Sequence, residues 1–144
     1  MARPIQIVFD AHDPARLATF WADALGSILQ PPPPDFDSWE DWAMSVGIPE
    51  ERWNDAAAIV DPAEEGPRVF IQKVPEGKTA KNRVHLDISV TRGTGAEGDA
   101  RKGLIDDEAA RLATHGATIV EPMSQRDEYW VVMQDPEGNE FCVH

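Results

Sequence analysis

Apolar and polar positions set out the elements of this chain before any other feature is used. In residues 5–10, Ile5, Ile7 and Phe9 share one strand face and Gln6, Val8 and Asp10 the other. Asp13-Pro14 then opens a helix, with Asp as N-cap and Pro at the first helical position. Leu17, Phe20, Trp21, Ala24 and Leu25 recur three or four apart as one apolar stripe, and Gly26 ends the helix. Residues 27–30 read as a short strand. The run Pro31 to Pro34 holds its backbone extended and cannot be helical.

An insertion follows at 31–55. Asp37 or Ser38 caps a short helix over 37–44, and Pro49-Glu50-Glu51 gives a second start signal. Residues 56–60 and 68–74 are strands. From 84 to 90 the pattern alternates strictly, with Val84, Leu86, Ile88 and Val90 against His85, Asp87 and Ser89. A helix is expected over 102–115, with Ile105, Ala109 and Leu112 inward and Gly116 after it. A strand over 117–121 precedes a tail hairpin. There, an apolar strand up to Met133 meets the turn Asp135-Pro136-Glu137-Gly138-Asn139. The last strand puts Asn139, Phe141 and Val143 on one face and Glu140, Cys142 and His144 on the other. The layout is strand, helix, three strands, given twice.

Composition narrows what such a chain does. Its 144 residues make one domain or two small halves. The net charge of -13 disfavours nucleic acid and anionic membrane surfaces. It is compatible with a cationic small molecule, but a solvated acidic surface is the simpler account of it. One Cys excludes an intrachain disulfide and suits a reducing, cytoplasmic setting, and no signal peptide or membrane span is visible. Five Trp stand against one Tyr, an aromatic balance that serves pocket walls as well as cores.

Several segments together carry a family resemblance. They are Ile7-Val8-Phe9-Asp10, Asp13-Pro14, Phe20-Trp21 with Leu25-Gly26, Arg83-Val84-His85-Leu86-Asp87, His115-Gly116-Ala117-Thr118, and the tail from Asp135 to Phe141. This set resembles the vicinal oxygen chelate superfamily, and more narrowly its glyoxalase/bleomycin resistance protein/dioxygenase members. The resemblance implies an α+β fold of two βαβββ modules, forming a partly open eight-stranded barrel-like sheet around a central cavity. On that reading 1–144 is a single domain: module one is 1–75, 76–82 is a linker and 83–144 is module two. It also implies a homodimer and, in catalytic members, a divalent metal that stabilises charge on vicinal oxygens as a Lewis acid.

The metal positions implied by the resemblance fall on His85, Gln6, Cys142 and Gln72, with Phe70 as the alternative to Gln72. The carboxylates usual at both last-strand positions are missing. A His, Gln, Cys set is softer than the imidazole and carboxylate sets that hold Mn, Fe or Ni, and it leans to Zn. The expectation is therefore a cavity that binds a small organic molecule without a functional metal. The alternative is a lyase, isomerase or dioxygenase using one ion of Zn, Fe, Mn or Ni, with His85 as catalytic residue and firm ligand. Gln6, Asp87, Gln72, Trp39, Trp42 and Trp130 are the candidate ligand-binding residues. His85 and Asp87 form either a binding floor or a self-satisfied polar network. Cys142 is a buried filler or a nucleophile activated by His85. The insertion's Trp39, Trp42 and Trp53 either lid a cavity or anchor the insertion. Whether Trp130 faces the cavity or the helices is left open by the pattern.

Overall fold

A computed structural model describes residues 3–144 of the chain. The chain divides into two compact units, Met1–Gly77 and Lys78–His144. In the first, β1 (Gln6–Ala11) leads through α1 (Pro14–Leu25) to β2 (Ile28–Leu29). Helix α2 (Trp39–Ser45) and a 3-10 helix (Glu50–Asp55) precede β3 (Ala56–Val60) and β4 (Arg68–Lys73). The second unit runs β5 (Asp87–Ile88), α3 (Gly98–Thr114), β6 (Thr118–Gln125), β7 (Glu128–Gln134) and β8 (Glu140–Val143). Each unit is thus a βαβββ module. The sheets have the same plan, β1-β4-β3-β2 and β5-β8-β7-β6, with the outer pairs β1–β4 and β5–β8 parallel. The α+β class and the doubled module are as the sequence leads one to expect, and the eight strands are arranged as two four-stranded sheets, one in each unit.

Local chemistry explains the elements. Asp13 accepts a hydrogen bond from the Arg16 N–H at 3.2 Å, and Gly26 closes α1 in the left-handed region at φ 65°. Leu17, Phe20, Trp21 and Ala24 are buried on α1, packing its stripe over β3 and β4. Leu25, assigned to that stripe from its spacing, is 40% exposed instead, at the last residue of the helix. Ala18 and Ala22 complete the buried face. In module two, Ile105, Ala109 and Leu112 are buried under α3 as their spacing predicts. The helix starts four residues before the expected Lys102, at Gly98.

Two strands differ from their sequence patterns. The expected strand over 84–90 is paired as β5 only at Asp87 and Ile88, although backbone hydrogen bonds to β8 run from Leu86 to Val90. It is an edge strand, and Val84 at its start is 81% exposed. Strand β6 continues past the expected Glu121 to Gln125, straight through Pro122. Pro122 is tolerated there because β6 is the sheet's other edge strand, paired on one side only. A bulge between Ile119 and Glu121 shifts its register.

Each sheet has one face against its helix and one open face. On sheet one, Val69, Ile71 and Ile59 are buried against α1. Gln6, Val8 and Asp10 of β1 lie opposite Arg68, Phe70 and Gln72 of β4 on the open face. On sheet two, Val131, Met133, Phe141 and Val143 are buried on the α3 side. Alternation sends Trp130 and Val132, with Cys142 and His144, to the open side.

Candidate functional site on the second sheet

The parallel β5–β8 ladder builds the site. It sets Asp87 directly opposite Cys142 and Ile88 opposite Val143. Side chains two apart on a strand share a face, so His85 joins Asp87 and His144 joins Cys142. His85 Nε2 stands 3.4 Å from Asp87 Oδ1. The His144 backbone is fixed in the ladder at both groups, its N–H donating to Ile88 at 2.9 Å and its carbonyl accepting from Val90 at 2.9 Å. The neighbouring strand continues the surface. Val132 is opposite Cys142, and two rungs on, the same register brings Trp130 across from His144.

These residues line an open recess of about 340 Å³ whose walls are His85, Asp87, Cys142, His144, Trp130 and the Glu128-Tyr129 segment. The His85 and Asp87 side chains are 48% and 53% exposed. A polar pair that merely satisfies itself in a core is shut away from water; this pair is open to solvent. Trp130 lines the recess, which resolves its open direction. Tyr129 points the other way, donating its hydroxyl to Asp106 on α3 and lying under the Lys102 ammonium at 4.6 Å.

The Cys142 thiol is half-buried. Burial first, and then the adjacent Asp87 carboxylate, push its pKa up. A thiol shifted that way is held in its neutral form, the opposite of an activated nucleophile.

His85, Asp87 and Cys142 are nonetheless the one group of His, Cys and acidic side chains gathered closely enough to hold a metal among the described residues, with ligand atoms within 4.8 Å of one another. One imidazole, one carboxylate and one thiol suit a tetrahedral zinc ion with a fourth position open. Asp87 therefore lies close enough to His85 and Cys142 to complete such a donor set, a placement its sequence position did not suggest. Gln6 and Gln72 sit on the open face of sheet one, four rungs or roughly 13 Å apart along the strands. Each amide has its own partner there: Gln6 Oε1 accepts from Arg68 Nη1 at 2.7 Å, and Gln72 Nε2 donates to Asp10 at 2.8 Å.

The insertion's tryptophans are tied down within module one. Trp39 Nε1 donates to the Gln30 carbonyl at 2.7 Å and Trp53 Nε1 to the Ile48 carbonyl at 3.0 Å. Trp39 and Trp42 meet edge to face with centroids 5.4 Å apart.

Glu140 shares the polar face of β8 in sequence but does different work. It accepts from the Asn82 N–H at 2.9 Å and pairs with Lys78 at 3.0 Å, fastening the segment that leads into β5. His144 was not singled out from the sequence as a site residue. Its alternation with Cys142 was the available signal.

Comparison with known proteins places this geometry in context. The sequence pattern of the glyoxalase-like domain matches residues 6–144. No curated protein matches the chain. Among solved structures, the fosfomycin resistance protein FosX from Mesorhizobium loti is 12% identical, with a TM-score of 0.61 over 100% of this chain and 91% of its own. A glyoxalase/bleomycin resistance protein/dioxygenase family enzyme from Burkholderia phytofirmans PsJN is 13% identical, with a TM-score of 0.60 over 96% and 94%. A variant of FosX from Listeria monocytogenes, complexed with Mn(II) and 1S,2S-dihydroxypropylphosphonic acid, is 10% identical, with a TM-score of 0.61 over 100% and 90%. At these identities the likeness is one of fold.

Proposed function

The chain belongs to the glyoxalase-like domain family, and on that premise we propose that its second module binds a small organic molecule in the recess of sheet two. The observation that carries this reading is the solvent-open His85–Asp87 pair beside the Trp130 ring in one recess. Trp130 supplies a flat apolar wall. Asp87 and Glu128 supply acceptor charge, and His85 and His144 supply groups that donate or accept according to tautomer. That combination favours a flat ligand carrying an amine or hydroxyl donor. Trp39 and Trp42 act in this reading as the fastening of the insertion to module one.

The test is quenching of tryptophan fluorescence by a panel of small aromatic amines and phenols. Saturable quenching is expected in the wild type, lost in Trp130→Phe and weakened at least tenfold in Asp87→Asn. Quenching that survives in both variants overturns the assignment.

A second reading rests on the closeness of the His85, Asp87 and Cys142 ligand atoms. These three would hold a zinc ion, which when bound supplies Lewis acidity to a ligand oxygen. His85 is then the pivotal residue, and the chain is an enzyme acting on a small oxygenated substrate. Protein dialysed against zinc and then against buffer is expected to retain about one equivalent, lost in His85→Ala. Uptake that is the same in that variant removes this reading while leaving the recess as a plain binding site.

A further inference from the structure

Sheet one carries a separate and unassigned feature on its open face. Arg68 Nε donates to Gln30 Oε1 at 2.6 Å, and Arg68 Nη1 donates to Gln6 Oε1 at 2.7 Å. The guanidinium carbon lies 5.2 Å from the centre of the Phe70 ring. Two neutral amides and an aromatic ring thus fix the plane of the cation without cancelling its charge. A guanidinium has five N–H donors. Only two are taken by protein partners here, and no carboxylate pairs with Arg68 among the described residues. The chain has 26 acidic residues against 13 basic ones, so acids to pair with are plentiful. An arginine oriented by amides instead is a cation kept available.

The surroundings extend this into a site. Phe70 lies between Val8 on one strand and Ala58 on the other, giving an apolar floor beside the guanidinium. Val8 is 48% exposed, so the floor is open. At the far end, Asp10 and Gln72 bond to each other and close the row. An acid lying along β4 would meet a cation first and then a flat apolar surface. The chain's overall negative field does not forbid this, because that field is screened within about 8 Å at physiological salt, whereas charge-assisted hydrogen bonds act on contact.

We propose that Arg68, held in place by Gln6 and Gln30, is an anion subsite that takes the carboxylate of a small organic acid whose apolar body lies over Phe70 and Val8.

The test follows the Arg68 Nε–H and the Gln6 and Gln30 side-chain amides by NMR during titration with benzoate and with its neutral analogue benzamide. Benzoate is expected to shift these signals saturably, and benzamide to bind at least tenfold more weakly. Arg68→Gln should lose at least tenfold in benzoate affinity. Gln6→Glu covers the case in which that variant does not fold: it leaves Arg68 in place but offers it an internal carboxylate, and should weaken benzoate to a similar degree. Equal binding of benzoate and benzamide, or benzoate affinity unchanged in Gln6→Glu, overturns the proposal.

Discussion

Asp87 and Cys142 stand opposite each other in the parallel β5–β8 ladder, and that one rung sets the chemistry of the candidate site. The carboxylate helps hold the thiol neutral, adding to the effect of burial. Removing the charge should make the thiolate easier to form. Asp87→Asn is therefore expected to speed iodoacetamide labelling of Cys142 several-fold near neutral pH, moving its pH profile to lower pH. An unchanged profile would mean that burial alone controls the thiol.

Glu140 fastens the segment before β5 through the Asn82 N–H and the Lys78 ammonium. The Asn82 hydrogen bond chiefly, with Lys78 adding, holds its pKa at about 2, below its ordinary 4.5. A carboxylate depressed in the folded state stabilises above its unfolded pKa, and that contribution is lost as pH falls through the folded value. Glu140→Gln should accordingly cost about 1–2 kcal/mol in urea unfolding at pH 7. The gap between variant and wild type should shrink between pH 4.5 and pH 2. A gap that stays constant over that window contradicts the assignment.

Asn54 ties the insertion to α1. Its Nδ2 donates to Asp13 Oδ1 at 2.8 Å, and its Oδ1 accepts from the Ala15 N–H at 2.9 Å. One side chain thereby supports the N-cap and satisfies a free helix donor. Asn54→Ala is expected to cost about 1 kcal/mol in denaturant unfolding, and also to raise the Asp13 pKa, which the Asn54 hydrogen bond chiefly lowers. A titration of Asp13 that does not move would show that the contact is not maintained.

Much of this arrangement was legible in residue order. The Asp13-Pro14 start, the Gly26 stop and the alternation through His85 and Asp87 each have a local cause, so the pattern states them. What escaped depends on tertiary context. The β6–β7 turn runs through Arg126 at φ 55°, a conformation normally marked by Gly or Asn, so nothing in Gln125-Arg126-Asp127-Glu128 announced a two-residue hairpin. The role of Asp87 beside Cys142 depends on the register of two strands more than fifty residues apart, which alternation within either strand does not fix. Arg68 was missed for a related reason: its partners Gln6 and Gln30 come from two other parts of the chain.

The most direct measurement of the central claim is a backbone amide NMR screen of the intact chain with small aromatic amines and phenols. The account predicts concentration-dependent shifts concentrated at His85–Ser89, Glu128–Val132 and Cys142–His144, greatly weakened in Asp87→Asn. Shifts that map elsewhere, or that persist undiminished in that variant, would contradict it.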